Sequence, residues 1–131
     1  MKNNEVNSII VDAEKYFGFL FDKGYKIRSA EYSSRLNGNW AVEIESPSCI
    51  IYITNDRNFL SLEFTSTKNV DIKSRITLEE IIYFLSKGHC IVAPFKGNLA
   101  WGKKKQFERL ASLLKEYIDQ IALYYEKIRL T

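Results

Sequence analysis

The fold is decided by residues 40–65, which read WAVEIESPSCIIYITNDRNFLSLEFT. Within this stretch three short runs, at 40–45, 49–54 and 59–65, alternate apolar and polar side chains and are separated by turn-forming residues. Alternation with a period of two is typical of strands that bury one face. The stretch therefore predicts an antiparallel meander, and helices elsewhere in the chain are expected to cover one side of the sheet.

The turn before the first run predicts how a preceding strand at 25–35 pairs with it. Asn37-Gly38 is a strong hairpin signal, but a two-residue loop there would mix charges into the apolar face. A three-residue loop at 36–38, with a left-handed glycine, shifts the pairing by one and places Trp40 opposite Ser34. Because a slip of one residue exchanges the two faces of a strand, the hydrophobic pattern favours the longer loop.

The next two turns extend the same apolar face. The first is expected to place Val42 opposite Ile53, and a four-residue turn at 55–58 is expected to place Ile53 opposite Leu60. Agreement between separate turns supports the assignment of one inner face. Its predicted members are Ala30, Tyr32, Trp40, Val42, Ile44, Cys49, Ile51, Ile53, Leu60, Leu62 and Phe64.

Helical spacing of apolar residues and terminal signals predict three helices. Ser8 is expected to cap the first helix, and Gly24 lies where a left-handed residue ends it. Thr77 and Glu80 have the spacing of a capping box, and Gly88 is expected to end that helix. The three helices are predicted at 8–23, 77–87 and 103–129.

These elements predict an α+β fold in which three helices pack on one face of a four-stranded antiparallel meander. Residues 89–95 are apolar and contain Pro94, so they read either as a short fifth strand at the edge or as an extended connection. A chain of 131 residues is expected to form one domain, 1–131.

The composition narrows the function classes. Apolar residues make up 46% and charged residues 27%, which is ordinary for a globular protein, and the net charge of +3 creates no strong field toward nucleic acid or membrane. No run has the length of a signal peptide core or a membrane span, so we expect a cytoplasmic protein without a membrane partner. Cys49 and Cys90 are then expected as reduced thiols, although spacing alone leaves a disulfide open.

The outer face of the sheet carries the main candidate site. Under the predicted pairing, four carboxylates surround Tyr52 and Ile50, and Glu31 lies directly opposite Glu43, where like charges repel. We interpret this face as a docking surface for a basic protein partner, with Tyr52, Ile50 and Phe59 as exposed apolar anchors. The alternative is an ordinary solvated sheet face. The predicted partner-binding residues are Glu31, Glu43, Glu45, Tyr52, Phe59 and Glu63.

Two further surfaces give alternative functions. Lysines at a helix N-terminus oppose the helix dipole, so Lys96 with Lys103, Lys104 and Lys105 could form a patch for nucleic acid. Apolar residues of the last helix recur at heptad spacing from Phe107 onward, which suits either packing on the sheet or a structural homodimer through that helix.

The sequence offers no residue set for catalysis. Neighbouring His89 and Cys90 point to opposite sides of an extended chain, so they do not make a nucleophile and base pair. Zinc-ligand spacing and glycine-rich phosphate loops are both missing. We therefore expect a protein that is not an enzyme, with no catalytic residue, metal or cofactor.

Residues 40–86 also carry a family resemblance. The pattern runs from Trp40-x-Val-x-Ile through Ser46-Pro47 and Asp56-Arg57 to Leu60-x-Leu-x-Phe64 and Leu78-x-x-Ile-Ile-x-Phe-Leu85. It resembles small uncharacterised bacterial proteins of the kind found as immunity proteins beside polymorphic toxins. The resemblance covers about a third of the chain and assigns no site residues. It implies a non-catalytic cytoplasmic protein that binds and blocks a toxin domain.

Overall fold

The chain folds into one antiparallel sheet with helices on one side of it. The structure, a computed structural model, describes residues 2–33, 38–97 and 102–131. Five strands lie in the order β1-β2-β3-β4-β5: β1 Lys26–Ser33, β2 Asn39–Glu45, β3 Cys49–Asp56, β4 Phe59–Ser66 and β5 Ile76–Thr77. The described helices are α1 Lys2–Asp22, α2 Leu78–Leu85 and α3 Lys103–Leu130.

This arrangement confirms the predicted α+β class, the meander and the three covering helices. The short fifth strand is Ile76–Thr77, which pairs with the edge of β4 through Phe64 and Glu63. Residues 89–95 contain no strand and form the extended connection that was the other reading of that segment. Within the described ranges, no helix combines the length and apolar character that a membrane crossing needs.

The strand registers agree with prediction in one hairpin and differ by two residues in the others. Val42 lies opposite Ile53, as expected. The partner of Trp40 is Tyr32 instead of Ser34, and the partner of Ile53 is Leu62 instead of Leu60. A shift of two residues returns every side chain to its own face, so the predicted faces hold although these two predicted registers are wrong.

The β3–β4 turn explains the shift in its own hairpin. Asp56 pairs with Phe59, so the β3–β4 connection is a two-residue turn in which Arg57 and Asn58 have φ values of 50° and 69°. The predicted four-residue turn at 55–58 is therefore wrong. Ser33 pairs with Asn39 at the other hairpin, and residues 34–37, where most of the predicted 36–38 loop falls, lie outside the described residues.

The inner face of the sheet is the floor of the main core. All eleven residues predicted for this face are buried or packed against the buried cluster, and Asn55 joins them at 2% exposure. Each of the three helices packs a stripe of apolar side chains against this face. The helix residues in this cluster are Ile9, Ala13, Phe17 and Leu20 of α1, Leu78, Ile81 and Ile82 of α2, and Phe107, Leu110, Leu114, Ile118, Ile121 and Tyr125 of α3.

Helix α1 differs from the prediction at its N-terminus and agrees with it at its C-terminus. α1 begins at Lys2, so Ser8 lies inside the helix and the predicted cap is wrong. Gly24 has the predicted left-handed conformation, with φ of 91°, and the N–H of Tyr25 donates to Leu20 O across the helix end.

The apolar stripe of α3 faces the sheet of its own chain. This arrangement favours packing on the sheet, and not a homodimer through the same residues, as the explanation of the heptad spacing.

The capping box of α2 is confirmed, but its C-terminus lies earlier than predicted. Thr77 Oγ1 accepts from Glu80 N–H at 3.1 Å, and Glu80 Oε1 accepts from Thr77 N–H at 2.9 Å. The helix ends at Leu85, and Lys87 occupies the left-handed position after it with φ of 56°. Gly88, expected there, is the next residue, and its N–H donates to Tyr83 O at 2.8 Å.

We expect Lys87→Gly to raise the free energy of unfolding by about 0.5–1 kcal/mol. A non-glycine residue in the left-handed region costs roughly 1–2 kcal/mol, and the greater freedom of glycine in the unfolded chain offsets part of that gain. Urea denaturation measures the change. The matched control is Lys115→Gly in the middle of α3, where helical backbone makes the same substitution destabilising by about 1 kcal/mol. A Lys87→Gly variant that unfolds as early as the control contradicts the expectation.

Candidate protein-binding surface

The outer face is the side of the sheet that turns away from the three described helices. Paired residues share a face, so its central row runs across the strands through Ser29, Glu43, Tyr52, Glu63 and Thr77. One neighbouring row holds Lys26, Glu45, Ile50 and Thr65, and the other holds Glu31, Ala41, Thr54 and Ser61. All four predicted carboxylates therefore lie on this face, as the alternation indicated.

Glu31 and Glu43 are not opposite each other, because of the register shift between β1 and β2. Glu31 lies opposite Ala41, and the predicted repulsion between the two carboxylates is wrong. A β-bulge in β1, between Ile27 and Ser29, inserts Arg28 beside Glu43. Arg28 Nε lies 3.5 Å from Glu43 Oε1, so an arginine offsets the charge of Glu43.

Tyr52 and Ile50 are buried, so the prediction that they are exposed apolar anchors is wrong. Tyr52 is 4% exposed and Ile50 is 1% exposed, although both lie outside the main core cluster. The guanidinium of Arg75 lies over the Tyr52 ring, 3.8 Å from its centroid, and the Tyr52 hydroxyl is 2.9 Å from Thr65 Oγ1. The polar connection after β4 thus covers this part of the outer face with one arginine side chain.

Arg75 also pairs with the fourth carboxylate. Its Nη1 lies 3.7 Å from Glu63 Oε1, and both side chains are largely buried, at 21% and 28% exposure. Arg75 Nε is buried and has no hydrogen-bond partner among the described residues. Cation–π contact and the Glu63 carboxylate hold the guanidinium in place, and an arginine so placed neutralises the centre of the outer face.

Three of the predicted partner-binding residues keep the accessibility that docking requires. Glu31 is exposed and Glu45 is half-buried, and neither has an ion-pair partner among the residues that the structure describes. Phe59 is 46% exposed at the far edge of the face. Among the described residues around Tyr52, the carboxylates Glu31, Glu43, Glu45 and Glu63 stand beside three cations, Lys26, Arg28 and Arg75, so the acidic character there is local to Glu31 and Glu45 and not general.

The basic residues of the alternative site lie at the start of α3 and before it. Lys103, Lys104 and Lys105 form the first turn of α3, where Lys104 and Lys105 are exposed and Lys103 is half-buried. Lys96 is exposed in the connection before residues 98–101, which lie outside the described residues. Gly102 caps the helix without a side-chain hydrogen bond, so the helix dipole adds positive potential to the lysines.

Both thiols are free, and both cysteines pack in or against the hydrophobic core. Burial raises the pKa of the Cys49 thiol, whose Sγ lies 3.8 Å from the Tyr25 hydroxyl. Cys90 is half-buried and accepts from the Tyr117 hydroxyl at 3.4 Å. A buried protonated thiol is a weak nucleophile. Among the residues that the structure describes, no three histidine, cysteine or carboxylate side chains come together as a metal site.

Comparison of the chain with protein-family models, with curated proteins and with solved structures finds no match. The resemblance of residues 40–86 to immunity proteins therefore stays a prediction.

Proposed function

We propose that the protein is a non-catalytic protein-binding module of the immunity type, which docks a basic protein domain on the outer face of its sheet in the cytoplasm. One observation carries the proposal: the described helices pack on the inner face and leave the outer face of β1 and β2 without a helix over it. Protein interfaces commonly combine a polar rim with an aromatic anchor, and the accessible carboxylates and Phe59 of this face supply the two parts.

The distribution of charges supports a narrower docking site, on the β1–β2 hairpin, than the one expected from the sequence. Glu31 and Glu45 flank Glu43 on the two strands of the β1–β2 hairpin. The Arg28–Glu43 pair is partly exposed, at 42% and 29%, and pairs of this kind contribute little to stability. A lysine or arginine of a partner can therefore compete with Arg28 for Glu43 while it also contacts the neighbouring carboxylates.

We expect Glu43→Lys with Glu45→Lys to weaken binding of a basic partner by roughly a hundredfold or more, because like charges then meet across the interface. The partner to use is the purified product of the adjacent gene, and titration calorimetry measures its affinity. The matched control is Glu108→Lys with Glu116→Lys, which makes the same charge change on exposed positions of α3. Equal loss of binding in the two double variants, or none in either, contradicts the proposed site.

A nucleic-acid role remains the second candidate, since the exposed Lys104 and Lys105 lie in the first turn of α3, where the N-cap Gly102 provides no side-chain hydrogen bond. Under that candidate, replacing Lys103, Lys104 and Lys105 by alanine removes salt-sensitive retention on single-stranded nucleic acid, and the Glu43 and Glu45 changes leave it unaltered. The two functions thus predict opposite patterns across the same set of variants.

A further inference from the structure

The short helix α2 is apolar on its solvent side as well as on its core side. Glu80, Tyr83 and Phe84 follow one another at steps of three and one, which places them along one face, and Lys87 lies just past the C-terminus of the helix. All four are exposed, and the two aromatic side chains keep 51% and 60% of their surface open to solvent. The core side of the same helix buries Leu78, Ile81 and Ile82.

The connection that follows α2 extends this apolar surface. Ile91 is 80% exposed, and with Val92 and Tyr83 it lines a shallow cavity of about 450 Å³. Arg109 of α3 fixes the connection beside the helix, because its Nη2 donates to Ala93 O at 2.7 Å and lies 3.3 Å from Glu79 Oε2. The largest apolar patch on a typical monomer is of comparable size and is often functional, so this surface with its charged rim is a candidate interaction site.

We propose that this surface, defined as Glu80, Tyr83, Phe84, Lys87 and Ile91, binds a second copy of the same chain about a two-fold axis. The order of charge around α2 selects that occupant: Glu80 precedes the aromatic pair in the first turn, and Lys87 follows the pair just past the helix end. When two copies of α2 lie antiparallel, Glu80 of each copy meets Lys87 of the other, and the aromatic pairs meet at the centre. The surface is therefore complementary to itself.

Among the residues that the structure describes, neither Glu80 nor Lys87 has an ion-pair partner. Glu80 uses one oxygen, Oε1, to accept from Thr77 N–H, which leaves Oε2 for a second contact. Lys87 lies just past the C-terminus of α2, where a cation also complements the helix dipole. A parallel arrangement of two copies would instead oppose carboxylate to carboxylate and lysine to lysine, so the same charges that favour one geometry exclude the other.

The size of the surface sets the strength of the contact. A large apolar side chain presents about 200 Å², so the exposed parts of Tyr83, Phe84 and Ile91 amount to roughly 400 Å² per copy. A stable interface of standard size buries about 800 Å² on each partner. The dimer is accordingly reversible and concentration-dependent, with a dissociation constant that is micromolar or weaker.

Sedimentation velocity over a wide range of protein concentration tests the proposal on the full chain. The wild type is expected to shift from monomer to dimer, and Tyr83→Ser with Phe84→Ser is expected to weaken that association roughly tenfold or more. Leu123→Ser is the matched control, since Leu123 is 58% exposed on α3 with the charged Asp119 and Lys127 one turn away. A wild type that stays monomeric, or a control that dissociates like the aromatic variant, overturns the proposal.

Exchange of charges provides a second readout that does not depend on the aromatic pair. Lys87→Glu and Glu80→Lys each make the surface repel itself, so each variant alone is expected to be monomeric. Mixed together, they restore both opposite-charge contacts and are expected to form a mixed dimer. Circular dichroism checks that Glu80→Lys, which loses its capping contact, stays folded. Folded variants that do not associate on mixing, or that each dimerise alone, overturn the antiparallel arrangement.

Discussion

We expect Phe107→Ala to lower the free energy of unfolding by about 3–5 kcal/mol, the range for removing a buried phenylalanine. Phe107 is 4% exposed and lies where α1, β2 and α3 meet. Its ring stacks on Tyr16 at 4.7 Å and on Trp40 at 6.0 Å, and it meets the edge of Phe17 at 6.2 Å. Alanine removes all three aromatic contacts at once and leaves a cavity whose rigid walls cannot easily collapse.

Urea denaturation of Phe107→Ala beside Phe107→Leu measures this expectation. Leucine fills much of the site without the stacking, so it is expected to cost about 1–2 kcal/mol, and the difference between the two variants reports the cavity. If Phe107→Ala costs less than about 1 kcal/mol, α1 and the β1–β2 hairpin are not joined through this ring, and the packing of α1 on the sheet has to be revised.

The second large effect is expected at Gln106, a buried polar residue beside Phe107. Gln106 is 1% exposed; its Oε1 accepts from Leu60 N–H at 2.9 Å, and its Nε2 donates to Asn58 O at 2.8 Å. The amide thus ties the first turn of α3 to the β3–β4 hairpin. Gln106→Leu leaves both backbone groups without their partner; the buried Leu60 N–H then costs roughly 1–3 kcal/mol, and the partly buried Asn58 O adds less.

We therefore expect Gln106→Leu to lower the free energy of unfolding by about 2–4 kcal/mol, with amide exchange accelerated at Leu60. Lys105→Leu is the matched control, because it introduces the same side chain one residue earlier at an exposed position and is expected to change stability by about 0.5 kcal/mol or less. Equal stability of the two variants would show that the hairpin does not depend on the Gln106 amide.

The strand pattern predicts faces more securely than registers. Tyr32 and Trp40 were both assigned to the inner face, and both pack there, yet they are opposite each other and not offset by two residues. An even shift keeps every side chain on its face, so hydrophobic alternation cannot distinguish registers that differ by two. Turn chemistry decides between them, and the Arg57-Asn58 turn lacks the glycine that usually identifies a two-residue hairpin.

Two further features, the support of the β3–β4 turn and the cations on the outer face, depend on contacts between segments that are distant in sequence. Asn39 Oδ1 accepts from Arg57 N–H at 2.8 Å, so a residue of β2 supports the β3–β4 turn. The Arg28 bulge and the position of Arg75 over Tyr52 neutralise the outer face through tertiary contacts of the same kind. Alternation placed the glutamates on one face correctly, but it carries no information about which cations reach them.

Amide chemical-shift mapping of the labelled protein with the purified product of the adjacent gene tests the proposed binding face most directly. The proposal predicts shifts concentrated on β1 and β2 around Glu31, Glu43 and Glu45, and at Phe59 on the edge of β4. Shifts confined to residues 103–105 or to α2, with the outer face unchanged, would contradict it.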